Sequence, residues 1–176
     1  MTRLRRISAV KPGAQDFAEA AERHLDDVHA FLVYLTGDRS VAEELTAETF
    51  ARACERWRRY DPRRGSARTW LCQLARSTAL DHFRAEDRRR RREGRYALDV
   101  PEAEEHGFGE GLSPALETAL SRLSAAEREV LALRVVLDLD GESASRVLGI
   151  STTACSTRLS RALQKLEREV SAGVAA

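Results

Sequence analysis

Glu43, Glu44 and Glu48 stand at spacings that place them on the outer side of one helix. A carboxylate set of this kind can hold a divalent metal for hydrolysis, or it can present negative charge to a basic partner. Its commonest fate is a solvated face. It is the only candidate for a metal-binding carboxylate set in the chain, and nothing sets a nucleophile beside a base. The four histidines are His24, His29, His82 and His106, and the five-residue step from His24 to His29 misses the i,i+4 spacing of a helical zinc pair. The three cysteines, Cys54, Cys72 and Cys155, form no C-x-x-C pair, and no Cys/His cluster has zinc spacing. They are expected to be buried packing thiols in a reducing compartment. The stretch from Gly107 to Gly111 lacks the lysine and threonine of a phosphate loop. No cofactor and no metal are expected, and the chain reads as a binding protein and not as an enzyme.

The second available chemistry is phosphate binding. The net charge is only +1, from 29 Lys and Arg against 28 Asp and Glu. Arginine dominates residues 52–95, however, while acids collect in residues 99–110. Arg76, Arg84 and the run from Arg88 to Arg92 are spaced along a single expected helix, where release of condensed counterions favours contact with a polyanion. Just upstream, residues 60–66, with Tyr60, Arg63 and Arg64, read as a loop able to capture a base. Trp70 can stack on a base or pack in a core, and its spacing with Leu74 favours the core. Further on, Thr152, Thr153, Ser156 and Thr157 are short polar residues opening another helix. Arg158 and Arg161 follow and can meet a phosphate or a guanine edge.

These groups need helices to hold them. Phe17, Ala21, Leu25, Val28, Leu32 and Leu35 recur at three- and four-residue steps. Gly37-Asp38 breaks that pattern, and the Ser40/Glu43 capping-box spacing predicts the start of a second helix. Ala42, Leu45, Thr49, Ala53 and Trp57 form its inner face, and Asp61-Pro62 stops it near Tyr60. A third helix turns Trp70, Leu71, Leu74, Ala75 and Thr78 inward, in a core built around Trp57 and Trp70. Between Glu93 and Pro114 glycine, proline and acids replace the periodicity, which predicts a linker. Ser113-Pro114 restarts a helix, and Ser124 with Glu127 makes a second capping box. Gly149-Ile150-Ser151 then separates two helices, the helix-turn-helix spacing, and the last continues through Leu159, Leu163 and Leu166. The fold class is all-α, two small helical domains joined by a flexible linker. The expected boundaries are a flexible N-terminus at 1–14, a first domain at 15–92, a linker at 93–113, a second domain at 114–170 and a flexible tail at 171–176.

Two stretches resemble the extracytoplasmic-function (ECF) RNA polymerase sigma factors. The first runs from Val41-Ala42-Glu43-Glu44-Leu45-Thr46-Ala47-Glu48-Thr49-Phe50 through Trp57, Asp61 and Gly65. It continues with Thr69-Trp70-Leu71-Cys72-Gln73-Leu74-Ala75-Arg76 and Leu80-Asp81-His82-Phe83-Arg84, and is similar to the sigma-2 domain. The second comprises Leu123-Ser124-Ala125-Ala126-Glu127-Arg128-Glu129-Val130-Leu131, Leu148-Gly149-Ile150-Ser151 and Arg158-Leu159-Ser160-Arg161-Ala162, and is similar to the sigma-4 domain. Ala47, Ser77 and Ser156 depart from the glutamine, asparagine and lysine of the pattern, and Gly141, Ser143 and Ser145 make the first helix of the helix-turn-helix unusually polar.

The resemblance implies a factor that directs transcription initiation at promoters with −10 and −35 elements. It implies core RNA polymerase and promoter DNA as partners, with an anti-sigma factor as a further one. Glu43, Glu44 and Glu48 would face the polymerase. Tyr60, Arg63, Arg64, Arg76, Ser77, Arg84 and Arg88 would serve the −10 element, and Thr152, Thr153, Ser156, Thr157, Arg158 and Arg161 the −35 element. The alternatives are a stand-alone helix-turn-helix regulator, which would need no acidic docking helix, and a metal-dependent nucleic-acid hydrolase. No run approaches the roughly 20 apolar residues that span a bilayer, so no membrane is expected and the cytoplasm is the expected location. Val174, Ala175 and Ala176 resemble the Ala-Ala tails engaged by the ClpXP protease, and that resemblance implies a degron at the C-terminus.

Overall fold

The computed structural model describes residues 14–93, 107–108 and 111–174. Among these residues there are seven α-helices and no strand. The first unit comprises α1 (Ala14–Thr36), α2 (Arg39–Arg56) and α3 (Ala67–Glu93), with a 3-10 turn at Trp57–Arg59 closing α2. The second comprises α4 (Pro114–Ser121), α5 (Ala125–Leu131), α6 (Gly141–Leu148) and α7 (Thr152–Val174). A π-helical turn, Ala132–Val136, joins α5 to the loop before α6. Its widened bonding is visible in the Leu137 amide, which donates to the Ala132 carbonyl at 2.8 Å.

The helix ends follow from their side chains. Ser113 caps α4 with Pro114 in the first turn. Ser124 and Glu127 form a complete capping box on α5, and Asp140 caps α6 by accepting from the Ser143 amide. Gly149 ends α6 in the left-handed region (φ 67°), where a Cβ would be strained. The cap of α2 differs from expectation. Gly37 turns the chain at φ 74°, and extended Asp38 takes the Val41 amide at 3.0 Å. The helix therefore begins at Arg39, before Ser40 could cap it.

The core is mainly aliphatic, with Val28, Phe31, Leu32, Leu71 and Leu133 fully buried. Trp57 and Trp70 meet edge to face at 5.6 Å, but with Phe17 and Tyr60 they form an aromatic cluster of their own. α1 is a wall shared by both units, since it packs against α2 and α3 on one side and against α5 and the π turn on the other. That double packing buries Val33, which lies off the expected stripe, while Leu25 is 47% exposed. Leu163 is likewise exposed on α7. Phe108, inside the segment expected to be a flexible linker, is buried. α7 runs to Val174, so residues 171–174 are helical where the composition predicts a tail. Ala175, Ala176 and residues 1–13 lie outside the described residues. No helix among the described residues is long and apolar enough to cross a membrane.

Candidate nucleic-acid and protein interfaces

α2 turns Ala42, Leu45, Thr46, Thr49 and Ala53 into the core. The opposite side is thereby committed to solvent, and Glu43, Glu44 and Glu48 are all exposed there. Ala47 shares this face. Glu48 pairs with Arg52, which also reaches Asp81 at 3.2 Å, so the acidic surface is partly neutralised at its C-terminal edge. Among the described residues, no three His, Cys, Asp or Glu side chains are placed to hold a metal ion.

The loop between α2 and α3 shapes a cavity of about 290 Å³ lined by Tyr60, Asp61, Arg64, Trp70, Gln73 and Arg146, among others. Tyr60 stacks on Trp57 with ring centres 4.8 Å apart, and its hydroxyl donates to the Gly65 carbonyl at 3.1 Å. Burial, reinforced by the charge of Asp61, raises the Tyr60 pKa and keeps the phenol neutral. Trp70 is half-buried and serves both core and cavity wall. Arg63 and Arg64 are exposed on the loop.

α3 spreads its remaining candidates. Ser77, Arg84 and Arg88 are exposed, and Arg84 faces Asp81 at 3.6 Å. Arg88, Arg91 and Arg92 line a shallow open surface. Arg76 is placed elsewhere: its guanidinium pairs with Glu129 of α5, a residue only 4% exposed. Burial pushes the Glu129 pKa up, against the lowering influence of Arg76 and Arg158.

In the second unit, α6, Gly149 and α7 form the helix-turn-helix. Ser151 takes the Ala154 amide at 3.1 Å and so opens α7. Cys155 and Ala162 anchor α7 in the core, which leaves Thr152, Thr153, Ser156, Thr157 and Arg161 exposed. A groove of about 610 Å³ runs along this end, lined by Thr153, Thr157, Arg158 and Arg161 with Ser124 and Glu127 across from them. Arg158 is half-buried, turned partly toward Glu129.

The roles of Gln73, Arg146, Arg128, Glu129 and Phe108 are not legible in the sequence. Each acts across the boundary between the units, and helical periodicity carries no signal for such pairing. The cysteines divide: Cys72 and Cys155 are buried, with burial pushing the Cys72 thiol up to about 12, whereas Cys54 is exposed on α2.

The chain matches the family models "Sigma-70 region 2" over residues 20–89 and "Sigma-70, region 4" over residues 113–166. It is 31% identical to the ECF RNA polymerase sigma factor BldN of Streptomyces coelicolor, over 88% of this chain and 60% of that protein. It is also 31% identical to the ECF sigma factor SigC of Mycobacterium tuberculosis, over 91% of this chain and 86% of that one. Among solved structures it is similar to the sigma factor RpoE from Bartonella quintana, crystallised with the anti-sigma factor NepR. That likeness has a TM-score of 0.76 at 21% identity, covering 89% of this chain and 98% of the other. The region 2 match falls on the first helical unit and the region 4 match on the second, and the two relatives align with 88% and 91% of the chain: it belongs to the extracytoplasmic-function RNA polymerase sigma factors.

Proposed function

We propose that this sigma factor docks on core RNA polymerase through Glu43, Glu44 and Glu48, captures the −10 element with the cavity and α3, and reads the −35 element with the start of α7. The cavity carries this reading. Tyr60 and Trp70 supply aromatic faces of the kind on which a base stacks, Asp61 and Gln73 supply polar groups for a base edge, and Arg59 and Arg64 rim it with positive charge. Such a site suits a base already out of the duplex. Promoter opening is then driven by binding energy, with no bond made or broken by the protein. It acts in the cytoplasm, with an anti-sigma factor as its controlling partner. The decisive experiment is run-off transcription with core polymerase on genomic fragments. Discrete transcripts that require the chain support the reading, and their absence refutes it.

Two substitutions separate the DNA faces. Arg84→Ala with Arg88→Ala should weaken promoter binding and flatten its dependence on salt by about one unit of slope for each phosphate no longer neutralised. Binding to core polymerase, measured by fluorescence anisotropy, should stay constant. A parallel fall in core binding would assign this face to the polymerase. Arg158→Ala should cost roughly 1–3 kcal/mol of promoter affinity if its guanidinium reads a guanine edge, and should relax discrimination at one −35 position. Uniform weakening across a panel of −35 sequences would make Arg158 a phosphate ligand instead.

A further inference from the structure

We infer that Asp81 couples two surfaces of the first unit: acting through Arg52, it sets how far Glu48 is left free for the polymerase according to whether DNA holds Arg84. This coupling rests on the assignment of Glu48 to the polymerase and of Arg84 to the −10 element.

Four charged side chains form a series of alternating sign from α2 to α3. Glu48 Oε1 accepts from Arg52 Nη2 at 2.5 Å, one turn along α2. The other terminal nitrogen of that guanidinium, Nη1, crosses to α3 and donates to Asp81 Oδ2 at 3.2 Å. The second oxygen of Asp81, Oδ1, faces Arg84 Nη1 at 3.6 Å. Helix spacing sets this register: Glu48 and Arg52 are four residues apart, and Asp81 and Arg84 three, so each pair shares a face. Arg52 and Asp81 therefore each have one partner on either side. Hydrogen bonding to Asp81 is the largest cause raising the Arg52 pKa, and the charge of Glu48 adds to it, so two carboxylates share one cation.

The series behaves as a competition. Exposure rises from 30% at the Arg52 side chain to 67% at Arg84, whose contact with Asp81 is also the longest of the three. A phosphate can thus take Arg84 with little opposition. Asp81 then keeps Arg52 alone, Arg52 is drawn toward α3, and Glu48 is released to the docking face. In reverse, a basic group of the polymerase that takes Glu48 sends Arg52 to Asp81 and frees Arg84 for phosphate. Both directions are one coupling free energy, so each partner raises affinity for the other by the same factor. Exposed ion pairs are individually weak, which sets that factor at about threefold.

The test uses the full chain, with affinities read by fluorescence anisotropy. Asp81→Asn removes the charge that draws Arg52 away from Glu48. It should weaken binding to core polymerase about threefold, and the same change made in an Arg52→Gln chain should have no effect. On the DNA side, Glu48→Gln should raise the affinity of the free chain for a short random-sequence single strand about threefold. Glu43→Gln, an equal change of charge on the same exposed face, should not, and in an Asp81→Asn chain Glu48→Gln should be silent as well. The four side chains are all at least partly exposed, so none of these changes empties the core. Unchanged core binding by Asp81→Asn overturns the coupling. An equal loss in the Arg52→Gln chain also overturns it and makes Asp81 a direct contact of the polymerase. Equal gains from Glu48→Gln and Glu43→Gln overturn the link to Arg84 and leave overall charge as the cause. Reversing Glu43, Glu44 and Glu48 to Lys tests the docking assignment separately. If that variant keeps its affinity for core while Glu48→Gln still acts on the single strand through Asp81, the docking assignment has failed and the link between Glu48 and Arg84 has not.

Discussion

Phe31→Ala should destabilise the protein by roughly 3–5 kcal/mol, the range for removing a fully buried aromatic ring and leaving a cavity. Phe31 has no solvent exposure, and it sits on the helix that both units share as a wall. Its removal should therefore be felt on both sides of α1. In a urea melt followed by circular dichroism, the midpoint should fall steeply. Hydrogen exchange should rise in α3 and α5 together. Leu25→Ala makes the control: Leu25 lies on the same helix but is 47% exposed, so its truncation should stay within about 0.5 kcal/mol. Equal effects of the two substitutions would mean that α1 is not held as described.

Reversing the acidic face of α2 should have the largest functional effect. With Glu43→Lys, Glu44→Lys and Glu48→Lys together, three exposed negative charges become positive on the face proposed to meet a basic surface of the polymerase. Like-charge juxtaposition costs several kcal/mol, so affinity for core polymerase should fall by about a hundredfold or more. Run-off transcription should fall with it. Thermal stability should change little, because none of the three is buried. Binding of the −35 duplex by the free chain should also persist, since α7 is on the other unit. Wild-type affinity for core in the triple variant would move the docking surface elsewhere.

Much of the fold is legible in the sequence because burial in helices is periodic. Ala42, Leu45, Thr49, Ala53 and Trp57 read as one inner face and are buried, and the Ser124/Glu127 box closes as its spacing implies. What the pattern does not carry is set by long-range packing. Val33 lies off the stripe on a helix with one buried side, and it is buried because α1 has two. Ser40 is a sound cap by spacing, but the turn at Gly37 places Asp38 in reach first. Arg76 reads as one of a series of phosphate-binding arginines, and no local pattern pairs it with a glutamate 53 residues away. The exposed candidates, from Glu43 to Arg161, are the easier ones, because a helix that buries one face must present the other.

The π turn at Ala132–Val136 gives the chain one place where its length can change. A π turn carries an additional residue relative to regular α-helical winding, commonly seen as a bulge. Val135 is 57% exposed, so deleting it would let the backbone relax toward ordinary helical winding without emptying the core. The change would be absorbed within the turn, leaving α6 and α7 their directions relative to α5. The same deletion inside α5 or α6 has no such slack: each residue of an α-helix advances about 100° around its axis, so the buried positions beyond it would be turned out of the core.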